Sequence, residues 1–345
     1  MTEGTPRPVL CIGPVAIDLV VEGFAPSDPD KLQSWTGPAT VRTLAAGSIG
    51  YAALSLTALG REVDLVSCVG DDALGAEALA QWERHGVSTA AIQVHAGESN
   101  LAIYLRLFGD SKRPMVFRAA DYPPWPESLH LDDLSRRPAL AVISGALHFP
   151  AFSAPQLGPL MRECREHDIP TVLDPQFAPE DREEPWSREF AEILSLTDVL
   201  CCDEREGAQL FGSADASDII ERGHAAGCRI VVVKREHLGA VLDDGVRRIY
   251  QPAVSLGSGI GSTIGSGDAF LAGLTARMLD GVGIDEIARW ATAVATVAIT
   301  NPDGIGGITL DGVTAVLSRV PRAQVLRIPR PRPGAAPHNP AKGTQ

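Results

Sequence analysis

Between residues 139 and 242, short apolar runs recur with helix-length segments between most of them. The runs at 139–144, 170–174, 198–202, 229–234 and 240–242 read as strands. Strands alternating with helices mark a mostly parallel sheet that helices cover on both faces. The same rhythm is present earlier but broken. Residues 9–13 form a short strand and 17–21 continue extended, with a Pro/Asp-rich loop at 25–31 and a strand at 40–44. Small and apolar residues at 48–59 predict a helix stopped by Gly60, a strand follows at 62–69, and 74–85 predict an amphipathic helix ending at Gly86. Two or three strand-like runs between 91 and 118, notably 101–108, interrupt the alternation. With 17–21 and 40–44 they are expected to build a small separate sheet, a lid drawn from about 17–44 and 91–118. Helices are expected at 269–279, 285–300 and 312–319, and no internal repeat is present. Residues 1–8 read as a flexible start, and the Pro- and Arg-rich 321–345 as a disordered tail.

The chemistry concentrates in Gly261-Ser262-Thr263-Ile264-Gly265-Ser266-Gly267-Asp268-Ala269-Phe270, which joins a strand-like run to an apolar helix. Without a Cβ, Gly265 and Gly267 let the backbone turn tightly and aim successive N–H groups at one point. At a helix N-terminus those donors and the helix dipole favour an anion. Asp268 places a carboxylate at the edge of that site. Amides that absorb charge on a phosphate, beside a carboxylate that takes a proton from an attacking hydroxyl, suit phosphoryl transfer. The competing structural reading is a plain helix start capped by Ser266 or Asp268. A Walker A loop is excluded because no Gly-Lys-Ser/Thr follows, and no Gly-x-Gly-x-x-Gly can be read from Gly257 to Gly267. Nicotinamide chemistry is further disfavoured by a first strand that runs on to Asp18 instead of entering a helix.

Composition narrows the classes. A formal net charge of −13 argues against a general nucleic-acid binder. No apolar run approaches the roughly 20 residues of a membrane span, and residues 1–8 lack a secretion-signal pattern. The six cysteines have no CxxC spacing and sit mostly in apolar runs, as reduced core residues of a cytoplasmic protein would. The eight histidines show neither HxxxH nor HExxH spacing, and Ser48 and Ser144 have no triad context.

Two signatures, in order along the chain, resemble one family. The first is Ala46-Gly47-Ser48-Ile49-Gly50-Tyr51-Ala52-Ala53, followed by Leu59-Gly60 and Val69-Gly70-Asp71-Asp72-Ala73-Leu74-Gly75. The second is Ser262-Thr263-Ile264-Gly265-Ser266-Gly267-Asp268, with Asp174-Pro175 and Asp203-x-x-Glu206 between the two. Over about residues 9–320 the chain resembles the ribokinase-like (PfkB-type) carbohydrate kinases. The resemblance implies a three-layer α/β/α fold with a mostly parallel central sheet and a small β-sheet lid. It implies ATP- and Mg²⁺-dependent phosphorylation of a primary hydroxyl on a small sugar, sugar acid or nucleoside. Carried over, Asp268 is the catalytic base and Gly265, Ser266 and Gly267 are the anion hole. Asp18 and Gly47 hold substrate hydroxyls, and Tyr51 faces the sugar. Asp203, Lys234, Thr263 and Thr292 fall on the nucleotide side, with Glu206 toward Mg²⁺. By spacing alone, Asp203 and Glu206 also make a helix capping box, and both roles can hold together. Arg106 and Arg118 lie in the expected lid, facing solvent, or with one of them clamping an anionic group on the substrate.

The departures bear on specificity. Tyr51 stands where the family usually has Asn, and Glu236 where Gly commonly follows the strand ending at Lys234. Ser262 replaces a frequent Asp, Asp203 replaces Asn, and Thr292 sits where Asn is frequent. Glu236 and Tyr51 motivate a second reading, a non-catalytic sugar or nucleotide sensor on a kinase scaffold. Exposed lid edges suggest pairing into a homodimer.

Overall fold

The computed structural model describes residues 6–26, 28–107, 114–123, 125, 129–147, 152, 154–178, 184–257 and 261–326. Among these, fourteen strands form two sheets. In chain order they are β1 (Val9–Ile12), β2 (Ala16–Gly23), β3 (Ala39–Ala46), β4 (Val63–Gly70), β5 (Ser88–His95), β6 (Leu101–Arg106) and β7 (Met115–Arg118). Then follow β8 (Leu140–Ser144), β9 (Thr171–Asp174), β10 (Val199–Asp203), β11 (Ile230–Lys234), β12 (Gly239–Asp243), β13 (Arg248–Pro252) and β14 (Gln324–Leu326). The large sheet runs β14-β13-β12-β11-β10-β9-β8-β1-β4-β5. From β5 to β11 every pairing is parallel, and β12 to β14 add on antiparallel.

The strand residues are apolar on both faces because both faces are covered. Successive side chains alternate between faces. Thus Val9 and Cys11 of β1, with Val199 and Cys201 of β10, enter one core. Leu10 and Ile12, with Leu200 and Cys202, enter the other. The first core packs the helices Ser48–Ala58, Ala73–Arg84, Ser266–Leu279 and Ile284–Thr300. The second packs Gly158–Glu166, Ala191–Ser195, Glu204–Phe211 and Ala216–Ala226. This is the expected three-layer α/β/α sandwich. All six cysteines are buried and free.

The small sheet runs β3-β2-β6-β7, antiparallel except for the β2–β6 pair. Two boundaries move. The 91–95 part of the expected lid belongs to β5, which pairs with β4 at the edge of the large sheet. Gln324–Leu326, within the stretch expected to be a disordered tail, pairs with β13 as an edge strand. Exposed edge pairing relies on backbone bonds, which leave no apolar period to read. Residues 327–345 and 1–5 lie outside the described residues.

Within the parallel portion β1 sits between β4 and β8, and the chain visits the two sides in turn. In such open sheets a crevice forms beyond the carboxyl ends of the strands at that reversal. Register then fixes what lines it: Ser144 pairs with Asp174 and Asp203 with Lys234, all at strand ends. The helix Ser266–Leu279 reaches the same crevice. It crosses Ile284–Thr300 closely at Gly273, where a Cβ would come within 2.9 Å of the Ala291 Cα.

Candidate active site

Two helices begin at the crevice, and neither has a side-chain cap. Gly47 precedes Ser48–Ala58 at φ +81°, and Gly265 precedes Ser266–Leu279 at φ +73°. Glycine is required at the first by close approach as well, since a Cβ on Gly47 would lie 2.8 Å from the Ala16 nitrogen. Asp268 does not cap its helix, and Ser266 donates its hydroxyl to the Thr263 carbonyl at 3.0 Å. The plain-cap reading therefore fails. Among the described residues, the Gly267 and Asp268 N–H groups have no protein acceptor. Unpartnered first-turn amides on this scale make an anion site.

Asp268 is only 8% exposed. Its carboxylate accepts a hydrogen bond from the Ser48 hydroxyl at 2.7 Å and one from the Gln176 amide at 3.4 Å. Ser48 also bonds Ser144 at the end of β8. Burial pushes the Asp268 carboxyl up to about 7, with Asp174 and Asp18 adding to the rise, while Ser48 and Lys234 pull it back. A carboxyl poised there can exchange protons near neutrality. It opens on a cavity of about 110 Å³ whose lining includes Asp18, Gly47, Tyr51, Tyr104, Phe117 and Gln176.

Asp18 is buried on β2, and the Tyr51 hydroxyl donates to its Oδ2 at 2.6 Å. Burial, followed by the Asp18 charge, holds the Tyr51 phenol well above its usual range, so it remains a donor. Gln176 has φ +56°, uncommon for a residue with a side chain, and donates to both Asp174 and Asp268.

Next to Asp268, joined to it through the Gln176 amide, lies a charge cluster. The Lys234 ammonium is 2.7 Å from Asp174 Oδ2 and 3.7 Å from Glu206 Oε2. A Cβ on Gly267 would sit 3.7 Å from that ammonium, so the cation flanks the amide cradle. Burial works against the Lys234 charge, but Asp174 and Glu206 hold it well above the ordinary range. Burial raises both carboxyls, Glu206 to about 8, and Lys234 draws them back. One ammonium at 2.7 Å neutralises Asp174, which leaves Glu206 as the partner that takes up a proton. The capping box is real as well: Glu206 N–H donates to Asp203, and Asp203 N–H donates to Glu206.

Several expected site residues lie apart. Arg118 does not line the acceptor cavity; its guanidinium bonds Glu98 at 2.9 Å and the Ser99 carbonyl at 3.1 Å. Arg106 does not face open solvent, but bonds Glu22 and the Gly261 carbonyl, tying β6 to the loop that enters the cradle. Thr292 is buried in its helix. The Thr263 carbonyl, rather than its side chain, is engaged, by Ser266. Glu236 is exposed and holds φ +47°. Sequence reasoning missed the roles of Ser48, Ser144 and Gln176. Each depends on a contact across distant chain segments, and no local pattern announces it.

At 91% of its length the chain superposes on Arabidopsis thaliana ribokinase solved with ribose and ATP, with TM-score 0.72, 22% identity and 99% of that chain covered. It also matches a putative ribokinase II from E. coli solved with ATP and Mg²⁺, with TM-score 0.71, 19% identity, and 91% and 99% of the two chains covered. The fold is therefore ribokinase-like. Residues 9–309 match the model of the pfkB family carbohydrate kinases, and the chain belongs to that family. Among curated relatives, the 2-dehydro-3-deoxygluconokinase of Dickeya dadantii is 25% identical over 252 residues, 69% of this chain and 80% of that protein. The protein is a carbohydrate kinase.

Proposed function

We propose that this kinase moves the γ-phosphoryl group of ATP to a primary hydroxyl of a small sugar, sugar acid or nucleoside bound against Asp18. Asp268 serves as base and the Gly265–Gly267 amides as anion hole. The observation that carries the reading is the position of Asp268. It is a buried carboxyl poised near 7, in the first turn of a helix whose Gly267 and Asp268 N–H groups have no protein acceptor among the described residues. The acceptor oxygen forms its bond to the γ-phosphorus as the bond to the ADP oxygen breaks, and the hydroxyl proton passes to Asp268. Developing charge on the phosphoryl oxygens meets the cradle, with Lys234 beside it as a fixed cation.

Mg²⁺ fits the phosphate side. Among the described residues no three metal-ligating side chains converge. Mg²⁺ commonly keeps several waters and is bound through one or two carboxylates plus substrate phosphates. Glu206 and Asp203 are the carboxylates that would hold those waters, and the ion would screen the phosphate charge. The small sheet covers the acceptor cavity, and its closure would keep water from competing for the phosphoryl group.

An Asp268→Asn enzyme is expected to bind ATP and acceptor but lose about 10²- to 10⁴-fold in kcat. The check is ADP release over pentoses, hexoses, sugar acids, sugar phosphates and nucleosides, with calorimetry for binding. An unchanged kcat sinks the assignment. The lid also supports a homodimer, since its edge strands β3 and β7 expose Val41 and Val116 at 59% and 57%. Sedimentation should then give twice the 36.4 kDa chain mass, and Val41→Lys should return it to monomer.

A further inference from the structure

We propose that Glu22 is a positioning residue. Its carboxylate, gripped by Arg42 and Arg106, seats the small sheet on the two chain segments that lead into the amide cradle, and so holds that sheet over the acceptor cavity. This rests on the kinase reading of the cavity and adds the device that keeps it covered.

Glu22 lies near the end of β2, which has β3 on one side and β6 on the other. Each neighbour sends it a guanidinium. Arg42 of β3 stands 3.0 Å from one carboxylate oxygen, and Arg106, opposite Glu22 in the β2–β6 register, bonds the other. Both cations then reach past the sheet. Arg106 donates from its second terminal nitrogen to the Gly261 carbonyl, and Arg42 from its other one to the Pro302 carbonyl at 3.5 Å. The forked guanidinium lets each arginine hold two acceptors at once.

The two footholds share one platform. Gly261 and Ser262 N–H both donate to the Ile299 carbonyl in the last turn of the helix Ile284–Thr300, and Pro302 directly follows that helix end. From there both segments lead to Gly265. The first arrives along the chain through the buried Ile264. The second arrives in space through Ile305, whose Cγ1 would lie 2.9 Å from a Cβ on Gly265. On β2 itself, Asp18 and Glu22 are four residues apart and share a face of the strand. That face carries Asp18 into the acceptor cavity and Glu22 onto the platform. A sheet released at Glu22 can lift Asp18 away without any change among the residues that line the cavity.

An acceptor that binds only under the closed sheet has an apparent affinity set by the closed fraction. Glu22→Gln keeps the side-chain size but leaves two guanidiniums side by side without their anion. The three side chains are 27% to 31% exposed, so the variant should still fold. The test uses D-ribose, 2-dehydro-3-deoxy-D-gluconate and adenosine as acceptors, with hydrogen exchange on the unliganded proteins. For each one phosphorylated, Glu22→Gln should raise the acceptor KM about 10-fold and keep kcat within about twofold. Arg106→Met should reproduce most of that rise, and combining the two should add little, because both cut one link. Residues 16–23, 39–46 and 261–268 should all exchange faster in Glu22→Gln, with β8 to β11 unchanged. A KM that does not rise, additive losses in the double variant, or faster exchange that spares 261–268 overturns the inference. If the wild-type protein forms ADP with no acceptor, the kinase reading falls, and the exchange measurement alone decides whether Glu22 joins the sheet to the cradle segment.

Discussion

The two flanks of the cradle are built from the same residue types and behave in opposite ways. On the acceptor flank, neutral donors meet carboxylates: Tyr51 bonds Asp18, while Ser48 and Gln176 bond Asp268. On the phosphate flank, a buried ammonium stands between the Asp174 and Glu206 carboxyls. A hydroxyl donor leaves a buried carboxylate able to take a proton, whereas a cation fixes its charge. The proposed proton transfer therefore falls to Asp268, while on the other flank Lys234 holds the charge of Asp174 and Glu206 takes up a proton. Both flanks hang from one strand-end row and two glycine-capped helices, so side-chain partners, and not backbone, separate the roles.

The sharpest way to break this contrast is to remove the cation. Lys234→Met leaves Asp174 and Glu206 buried without their counter-ion. Orphaning a buried charge pair in this way costs about 3–5 kcal/mol. Denaturant unfolding at pH 8 should show most of that loss. The sign with pH follows from the carboxyls. Without Lys234 their folded values rise further above the unfolded ones, so the deficit is present at high pH and fades as both protonate. At pH 5 the variant should recover part of its stability, and Asp174→Asn added to it should recover part at pH 8. A deficit that is the same at both pH values would mean that Lys234 acts by packing.

The acceptor flank gives the next effect in size. As the proposed base, Asp268 must be ionised to accept a proton, so kcat/KM should fall tenfold per pH unit below about 7 and level off above it. The Ser48 hydroxyl favours the ionised form. Ser48→Ala should therefore move the midpoint to higher pH and lower the rate several-fold at pH 6, with little change at pH 9. A midpoint that stays in place would show that Ser48 does not hold the base.

How much of this could be read from the chain differs between the same two flanks. Strand ends were legible because β8 to β11 are largely apolar runs closed by Ser144, Asp174, Asp203 and Lys234. The cradle was legible as a glycine pair before an apolar helix. The grouping of those ends into one cluster was not, since it needs the strand order, which no local pattern encodes. Ser48 and Asp268 stand 220 residues apart, and Tyr51 reaches Asp18 only because Gly47 lets its helix approach β2. Arg118 misled because a lid strand offers two faces, and its guanidinium turned to Glu98 rather than to the cavity.

The smallest expected effect separates strain that serves the site from strain that does not. Gln176 and Glu236 both hold a left-handed backbone, at φ +56° and +47°. Gln176 faces the acceptor cavity and bonds two carboxylates, so its strain comes with contacts to the site. Glu236 is exposed in a short turn, Glu236–Leu238, and does not line that cavity. A side chain in this conformation costs about 1–2 kcal/mol, and glycine removes that cost while giving back some of it as chain entropy. Glu236→Gly should therefore raise stability by about 0.5–1 kcal/mol without altering the acceptor pH profile. Gln176→Gly, which relieves a similar angle, should lower kcat because Asp268 loses a donor. Equal kinetic loss in both variants would mean that the exposed turn also reaches the phosphates, and that the phosphate flank extends past Lys234.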